Sequence, residues 1–362
     1  MSKFYNSLGL MSGTSMDGVD ASIIQSDGEK KYKVMIDKYF EYPKVLFENL
    51  TKLRNKIKRA EDLKKLSKEV NNIEKEITVF HANAVNEILK KTKIKIDFLG
   101  FHGQTVFHNM KEKISKQLGD GKLLSKLTKK TVVYNFRKND LVNGGEGAPL
   151  APIFHKLLVE QNKIQTPITI LNIGGIANTT SINSNFEISS LDIGPGNCLI
   201  DKWIRSKSDK KYDEKGLIAK SGTVDKLILN QLLDNFYNNK ISKKKSYDIN
   251  DFDLSFAAGL TLENGAATLT EFTADICSKK LINRNIYVSG GGRKNIFLIE
   301  SIEKKIHCKI KLIDIIGIGG DFIESQAFAY LAIRSYLKLP ISFPNTTGVN
   351  KPCTGGVIVK NY

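Results

Sequence analysis

Apolar positions along this chain follow two rhythms. Short apolar runs end in glycine or small polar residues, and between them lie stretches where apolar side chains recur every three or four positions. The segments YNSLGLMSG and DGVDASIIQSD predict an opening hairpin, and YKVMIDKYFEYP adds a third strand in the manner of an antiparallel meander. From 52 to 90, Leu53, Ile57, Leu63, Leu66, Val70, Ile73, Ile77, Phe80, Val85, Ile88 and Leu89 stand among charges at helical spacing, which predicts amphipathic helices. The strand IDFLG, a loop FHGQTVFH, the strand TVVYNF and a helix from near Pro149 through HKLLVEQ complete a first α/β domain.

The logic then repeats. From Pro167, ITILNIGGIANTTSI is again an apolar strand, a glycine turn and a return strand. Two such openings predict two related domains, assigned to 1–160 and 161–362, with the packing of the last segment back onto the first domain left open. Each turn would grip phosphate from one side of a nucleotide held between the domains. Further glycine turns, DIGPGN, VSGGGRKN and IGIGGDFIES, follow apolar strands and precede helices, where open α/β sheets bind ligands.

Composition narrows the partners. A chain of 362 residues with 41% hydrophobic content can bury two sizeable cores. The formal charge of +17 raises nucleic acid as a partner. The lysines are spread along the chain, however, and no basic stripe with interleaved aromatics is visible, so a solvated lysine-rich surface that steers anionic ligands is the better reading. No segment has the length of apolar sequence a membrane span needs, and the start lacks the apolar run of a signal peptide, so the expectation is a cytoplasmic protein without membrane or nucleic-acid partners. Cys198, Cys277, Cys308 and Cys353 are scattered without a CxxC pair, which argues against a disulfide framework and a zinc cluster.

The turn after the first strand carries the clearest chemistry. In LGLMSGTSMDGVD, Gly13 and Gly18 are expected to let the backbone approach an anion, while Thr14 and Ser15 add hydroxyl donors to the backbone N–H groups. Asp17 and Asp20 can approach a metal carried by phosphates.

In order along the chain, GTSMDGVD, FHGQTVFH, GGEGAPLAPIFH, LNIGGIAN, DIGPGNCLID, YDEKGLIAKSG, VSGGGRKN and GGDFIESQAFAYLA resemble the anhydro-N-acetylmuramic acid kinase family. The likeness runs from 8 to about 332 and continues more weakly through NTTGVNKPCTGGVI. It implies the two-domain actin-like ATPase (ribonuclease H-like) fold of the sugar kinase, actin and heat-shock chaperone superfamily, with ATP and Mg²⁺ in a cleft between the domains. The implied substrate, 1,6-anhydro-N-acetylmuramic acid, has its oxygen 6 tied to carbon 1. A base must therefore activate water to attack carbon 1 while the departing oxygen 6 attacks the γ-phosphate. The implied product is N-acetylmuramic acid 6-phosphate, a step in peptidoglycan recycling.

Asp192, after FEISSL and before the rigid Gly194-Pro195-Gly196, is the expected base; a plain turn-capping aspartate is the structural alternative. The phosphate turns are Gly13, Thr14, Ser15, Met16, Asp17, Gly18, Val19 and Asp20, and Gly174, Gly175 and Asn178. Gly290, Gly291 and Gly292 would pack against adenine and ribose, and Asp17 is the candidate for the ATP-bound Mg²⁺. For the sugar, the candidates are His102, Gln104, Glu324 and Arg137, whose guanidinium suits a lactyl carboxylate. His102 reads equally as a core histidine tied to a carbonyl, Arg137 as an ion-pair partner, and Glu324 as a helix cap. Three places depart from the family pattern: Asn135 stands where an acidic residue is usual, Glu146 replaces Gln, and 245–252 replaces a Thr-Gly-Arg-Glu run. An ordinary sugar kinase, using Asp192 on a substrate hydroxyl, and a non-catalytic ATP-driven switch that closes around a partner are the competing readings; a homodimer is left open.

Overall fold

The computed structural model describes residues 3–110, 112–238 and 246–362. It divides into two compact units, Met1–Ile164 with Phe322–Tyr362, and Gln165–Asp321. Lys245 lies outside the described residues.

The first unit opens as the apolar rhythm predicts, with β1 (Tyr5–Ser12), β2 (Gly18–Ser26) and β3 (Tyr32–Glu41) paired antiparallel in sequence. Helices α1 (Lys44–Lys56), α2 (Ala60–Lys65) and α3 (Ser67–Lys91) follow, and α3 turns Val70, Ile73, Ile77, Val85 and Ile88 inward. Strand β4 (Phe98–Asn109) then pairs parallel with β1. The expected loop FHGQTVFH is instead strand, because Gly103 adopts φ +75° and the register shifts between Thr105 and Phe107. That bend lets the outer half of β4 leave β1 and pair antiparallel with β5 (Ile114–Leu118), a bulge doing what sequence reads as a loop. After α4 (Gly121–Thr128), β6 (Thr131–Tyr134) joins β4 in parallel, and α5 (Lys138–Val142) and α6 (Pro152–Gln161) complete the stretch.

The second unit runs β7 (Ile168–Ile173), β8 (Ile176–Ile182) and β9 (Ile188–Pro195) antiparallel. Helices α7 (Cys198–Lys207), α8 (Leu217–Ser221), α9 (Lys226–Asn238) and α10 (Leu262–Lys280) follow. Strand β10 (Ile286–Ser289) pairs parallel with β7, and after α11 (Ile296–Ile306) strand β11 (Ile310–Leu312) pairs parallel with β10. The chain then re-enters the first unit through α12 (Ile323–Tyr336), α13 (Pro344–Thr347) and β12 (Val357–Val359), which pairs with β6.

Both sheets therefore share one topology: three antiparallel strands in meander, then two strands added in parallel on the other side of the first, as β3-β2-β1-β4-β6 and β9-β8-β7-β10-β11. This is the ribonuclease H-like order, present twice, and the chain has the two-domain actin-like ATPase fold. In each unit the turn after the first strand, 13–17 and 174–175, sits at that strand's carboxyl end.

Helix α12 reaches the first sheet at backbone distance. A Cβ on Gly9 of β1 would stand 1.9 Å from the Ser325 carbonyl oxygen, and one on Gly100 of β4 would stand 2.2 Å from that of Phe328. Small residues on the facing side of α12, Ser325, Ala329 and Ala332, complete the contact. Gly100→Ala is expected to destabilise the protein by about 1 to 3 kcal/mol through overpacking of a rigid backbone contact. Urea unfolding of the variant checks it, and an unchanged midpoint would contradict a direct helix-on-strand contact.

Candidate active site

The turn at 13–17 is shaped by hydrogen bonds from behind. Gln104, which pairs across the sheet with Ser12, donates its amide to the Gly13 carbonyl at 2.9 Å, and Arg54 at the end of α1 donates to the Thr14 carbonyl at 3.2 Å. The Tyr42 N–H donates to the Asp17 carbonyl at 2.8 Å. Met16 takes φ +59°, a left-handed conformation of the kind by which a backbone curls into an anion-binding nest, and its N–H donates back to the Gly13 carbonyl at 3.2 Å. Carbonyls drawn inward leave the opposed N–H vectors of the same planar peptides directed outward. The side chains of Thr14 and Ser15 are exposed, and Ser15 donates to the Asp17 carboxylate at 2.6 Å.

The glycines of this turn have different reasons. A Cβ on Gly13 would meet only Ser15 Oγ at 3.7 Å, so glycine leaves open space there. A Cβ on Gly18 would stand 2.4 Å from the Phe40 carbonyl oxygen, so that glycine is also needed to pack β2 on β3. Met16 and Val19 bury their side chains in the core, which leaves only their backbone to offer a ligand, while Asp20 is half-buried in β2 opposite Tyr39.

The end of β1 is held by a buried polar chain. His81 Nδ1 donates to the Ile77 carbonyl at 2.8 Å, so its Nε2 accepts from the Ser12 hydroxyl at 3.1 Å, and Tyr42 donates to Ser12 at 2.8 Å. Burial pushes the His81 pKa down to about 4, which keeps the ring neutral and this pattern intact.

His102 and Arg137 form one assembly. The His102 Nδ1–H donates to the Gly103 carbonyl at 2.7 Å, and Nε2 accepts from Arg137 Nη2 at 2.9 Å and Nε at 3.3 Å. Both ring nitrogens are thus engaged inside the unit, and burial, with the Arg137 charge second, holds the imidazole well below its ordinary pKa. Arg137 also donates to the Gly147 carbonyl at 2.7 Å. Buried Asp140 fixes that loop by accepting from the Gly147 N–H and the Thr347 hydroxyl, both at 2.6 Å. Asn135 takes φ +57° just before Arg137, and the Glu146 N–H donates to the Thr347 carbonyl. Glu324 is half-buried in the first turn of α12.

In the second unit the same inward pinning appears with different partners. The Gly174 carbonyl accepts from the Asn197 N–H at 2.8 Å, and that of Gly175 from Gly196 at 3.0 Å and Cys198 at 3.1 Å. Asp192 lies in β9 opposite Asn178 of β8, beside a register shift, so base candidate and turn candidate are neighbours. The Asp192 carboxylate is buried and accepts from the Tyr247 N–H at 3.0 Å. Burial and then the Asp192 charge push the Tyr247 hydroxyl up to about 12.

Gly290, Gly291 and Gly292 follow β10. A Cβ on Gly290 would clash with Asn172 Oδ1 at 2.5 Å and one on Gly292 with Ile173 Cγ2 at 2.2 Å, whereas one on Gly291 meets nothing within 4 Å. Arg293 locks this turn to the loop before α12 by forked contacts to Asp314 at 2.8 and 3.0 Å and to Asp321 at 2.6 and 3.1 Å.

The family model for anhydro-N-acetylmuramic acid kinase matches residues 5–361. The chain belongs to that family. A relative from Pelagibacter ubique carrying the family name is 57% identical over the whole of both chains. Relatives of the same name from Methylorubrum populi and Zymomonas mobilis are 39% and 38% identical, each over 97% of this chain and 98% of theirs. The geometry brings in residues that the motifs did not single out: Arg54, Tyr42 and His81 behind the first turn, Asp140 behind Arg137, and Arg293 in the turn after β10. Only Asp140 and Arg293 sit beside glycine runs that draw the eye; Arg54 lies in an ordinary amphipathic helix.

Two outcomes follow. Gly292→Ala is expected to lower the unfolding midpoint while Gly291→Ala leaves it unchanged, and equal effects would contradict the packing just described. His81, His108 and His155 are held at about 4 by burial and His102 well below its ordinary value, against 6.5 in an open chain. The unfolded chain therefore binds more protons below about pH 6.5, and stability is expected to fall between pH 6.5 and 4, by roughly 1 kcal/mol per pH unit for each such histidine. Urea midpoints that stay flat from pH 7 to 5 would contradict it.

Proposed function

We propose that Asp192 is the general base of this kinase, with the nest at 13–20 and the turn formed by Gly174, Gly175 and Asn178 holding the ATP phosphates. The family activity is ATP-dependent hydrolytic opening of 1,6-anhydro-N-acetylmuramic acid with phosphorylation of O6, yielding N-acetylmuramic acid 6-phosphate and ADP in cell-wall recycling. The observation that carries the residue-level reading is the buried Asp192 carboxylate, fixed by the Tyr247 N–H and set directly across the ladder from Asn178.

Asp192 takes one proton from water as the water oxygen bonds to C1. The C1–O6 bond breaks with its electron pair passing to O6. O6 then bonds to the γ-phosphorus, and the bond from that phosphorus to the β,γ-bridging oxygen breaks, leaving ADP. Because O6 leaves onto phosphorus, no second carboxylic acid has to protonate it, which distinguishes this site from a two-carboxylate glycosidase.

Arg137 presents its guanidinium to the lactyl carboxylate of the sugar, oriented by its bonds to His102 and Gly147. Glu324, on the first turn of α12, bonds sugar hydroxyls or water. His102 serves the sugar through Arg137, and Gln104 serves the phosphates through Gly13. Gly291, with open space where a side chain would stand, lets the adenosine lie on the backbone. Asp17, with its carboxylate at the nest and bonded by Ser15, offers the hard oxygen donor that Mg²⁺ takes together with phosphate oxygens and water. When bound, that ion would neutralise charge on the phosphates.

Asp192→Asn keeps the shape and removes the base. It is expected to lower kcat by about two to four orders of magnitude with the KM for ATP nearly unchanged. Sugar-dependent ADP release measures it, and near-normal turnover would refute Asp192 as the base.

A further inference from the structure

The sequence motifs do not single out Arg54, yet its position behind the nest is specific. It sits in the last turn of α1, 6% exposed, forty residues along the chain from the carbonyl it bonds. The Thr14 carbonyl that it contacts belongs to the same peptide unit as the Ser15 N–H. A cationic donor on the oxygen of a peptide polarises that peptide and strengthens its N–H as a donor, because hydrogen bonds in series reinforce one another. Gln104 does the same, without charge, for the peptide joining Gly13 to Thr14. The two peptides at the mouth of the nest are thus both held from behind, one of them by a cation.

We infer that Arg54 is a positioning residue for the ATP phosphates: its cationic donor fixes and polarises the Thr14–Ser15 peptide from behind. The inference rests on the reading of 13–20 as a phosphate turn. Arg54 acts through the backbone and touches neither sugar nor reacting atoms, so its removal should act on nucleotide affinity and spare the sugar.

The test compares wild type with Arg54→Met, Arg54→Gln, Arg54→Lys and Gly13→Val. The readouts are fluorescence titration with a non-hydrolysable ATP analogue, steady-state KM for ATP and for the anhydro sugar, and the thermal midpoint. Arg54→Met is expected to weaken analogue binding and raise the KM for ATP by roughly tenfold, the loss of one charge-assisted hydrogen bond, and Arg54→Gln, which keeps a neutral donor, by a smaller factor in the same direction. The KM for the sugar should stay within about twofold. Arg54→Lys, which keeps the charge, should fall between these variants and wild type. If Arg54→Met does not fold, Arg54→Gln carries the same reading, since it retains donors for Thr14.

Gly13→Val separates the two layers of the argument, because a side chain there meets only Ser15 Oγ in the protein and would stand in the path of an anion. If Gly13→Val weakens the analogue and the Arg54 variants do not, the role of Arg54 is overturned and the phosphate turn stands. If none of them weakens it, both readings fall. If the Arg54 variants raise both KM values and lower the thermal midpoint in parallel, Arg54 is merely structural and the inference is overturned.

Discussion

Orientation of the backbone at two turns is the constraint on which the rest depends. A phosphate has no shape that a side chain must match, but it needs several N–H groups aimed at one point, and a loop free to rotate its peptides would not supply them. Here the peptides are fixed through their carbonyl oxygens. In the first unit Gln104, Arg54 and the Tyr42 N–H draw them back; in the second, the N–H groups of Asn197, Gly196 and Cys198 do so. One device is built from side chains and the other from a second stretch of backbone, so the similarity lies in the geometry and not in the residues.

That geometry follows from the repeated sheet order. A hairpin at the first strand places its turn at the carboxyl end, and the parallel strand added beside it ends next to the same turn: Gln104 of β4 beside Ser12, and Gly290 after β10 beside Asn172. The polar chain of His81, Ser12 and Tyr42 is the cost of ending β1 inside the core, and burial keeps its histidine neutral so that each hydrogen bond has a donor and an acceptor. The His102–Arg137 assembly uses the same rule. His102 is neutral and accepts from Arg137, which it could not do as a cation.

What the sequence displays and what it hides divide along contact range. The hairpins and glycine turns were legible because apolar runs such as ITILNI and their following glycines are local signals. Asp192 was singled out as a candidate from its place before Gly194-Pro195-Gly196 and from the family resemblance. The strand character of FHGQTVFH was not, because its pairing with β5 depends on a bend at Gly103 whose glycine reads locally as a loop. Gly18 has a second reason that only the structure shows, with the Phe40 carbonyl at its back. Arg54, Tyr42 and Asp140 were missed for one cause: each acts on a backbone atom distant in sequence or on a loop fixed by the far terminus, and nothing in the neighbouring residues marks it. Gly9 and Gly100 hide the seat of α12 in the same way.

The central claim is that one carboxylate activates water at C1 while the expelled O6 takes the phosphoryl group. The most direct measurement is turnover of the anhydro sugar with Mg-ATP in ¹⁸O-labelled water, with mass spectrometry of the sugar product before anomeric exchange. The account predicts one ¹⁸O at C1 of a 6-phosphorylated sugar and none in its phosphoryl group. Label in released phosphate, an unlabelled anomeric carbon, or phosphorylation of ordinary reducing sugars with no action on the anhydro form would contradict it.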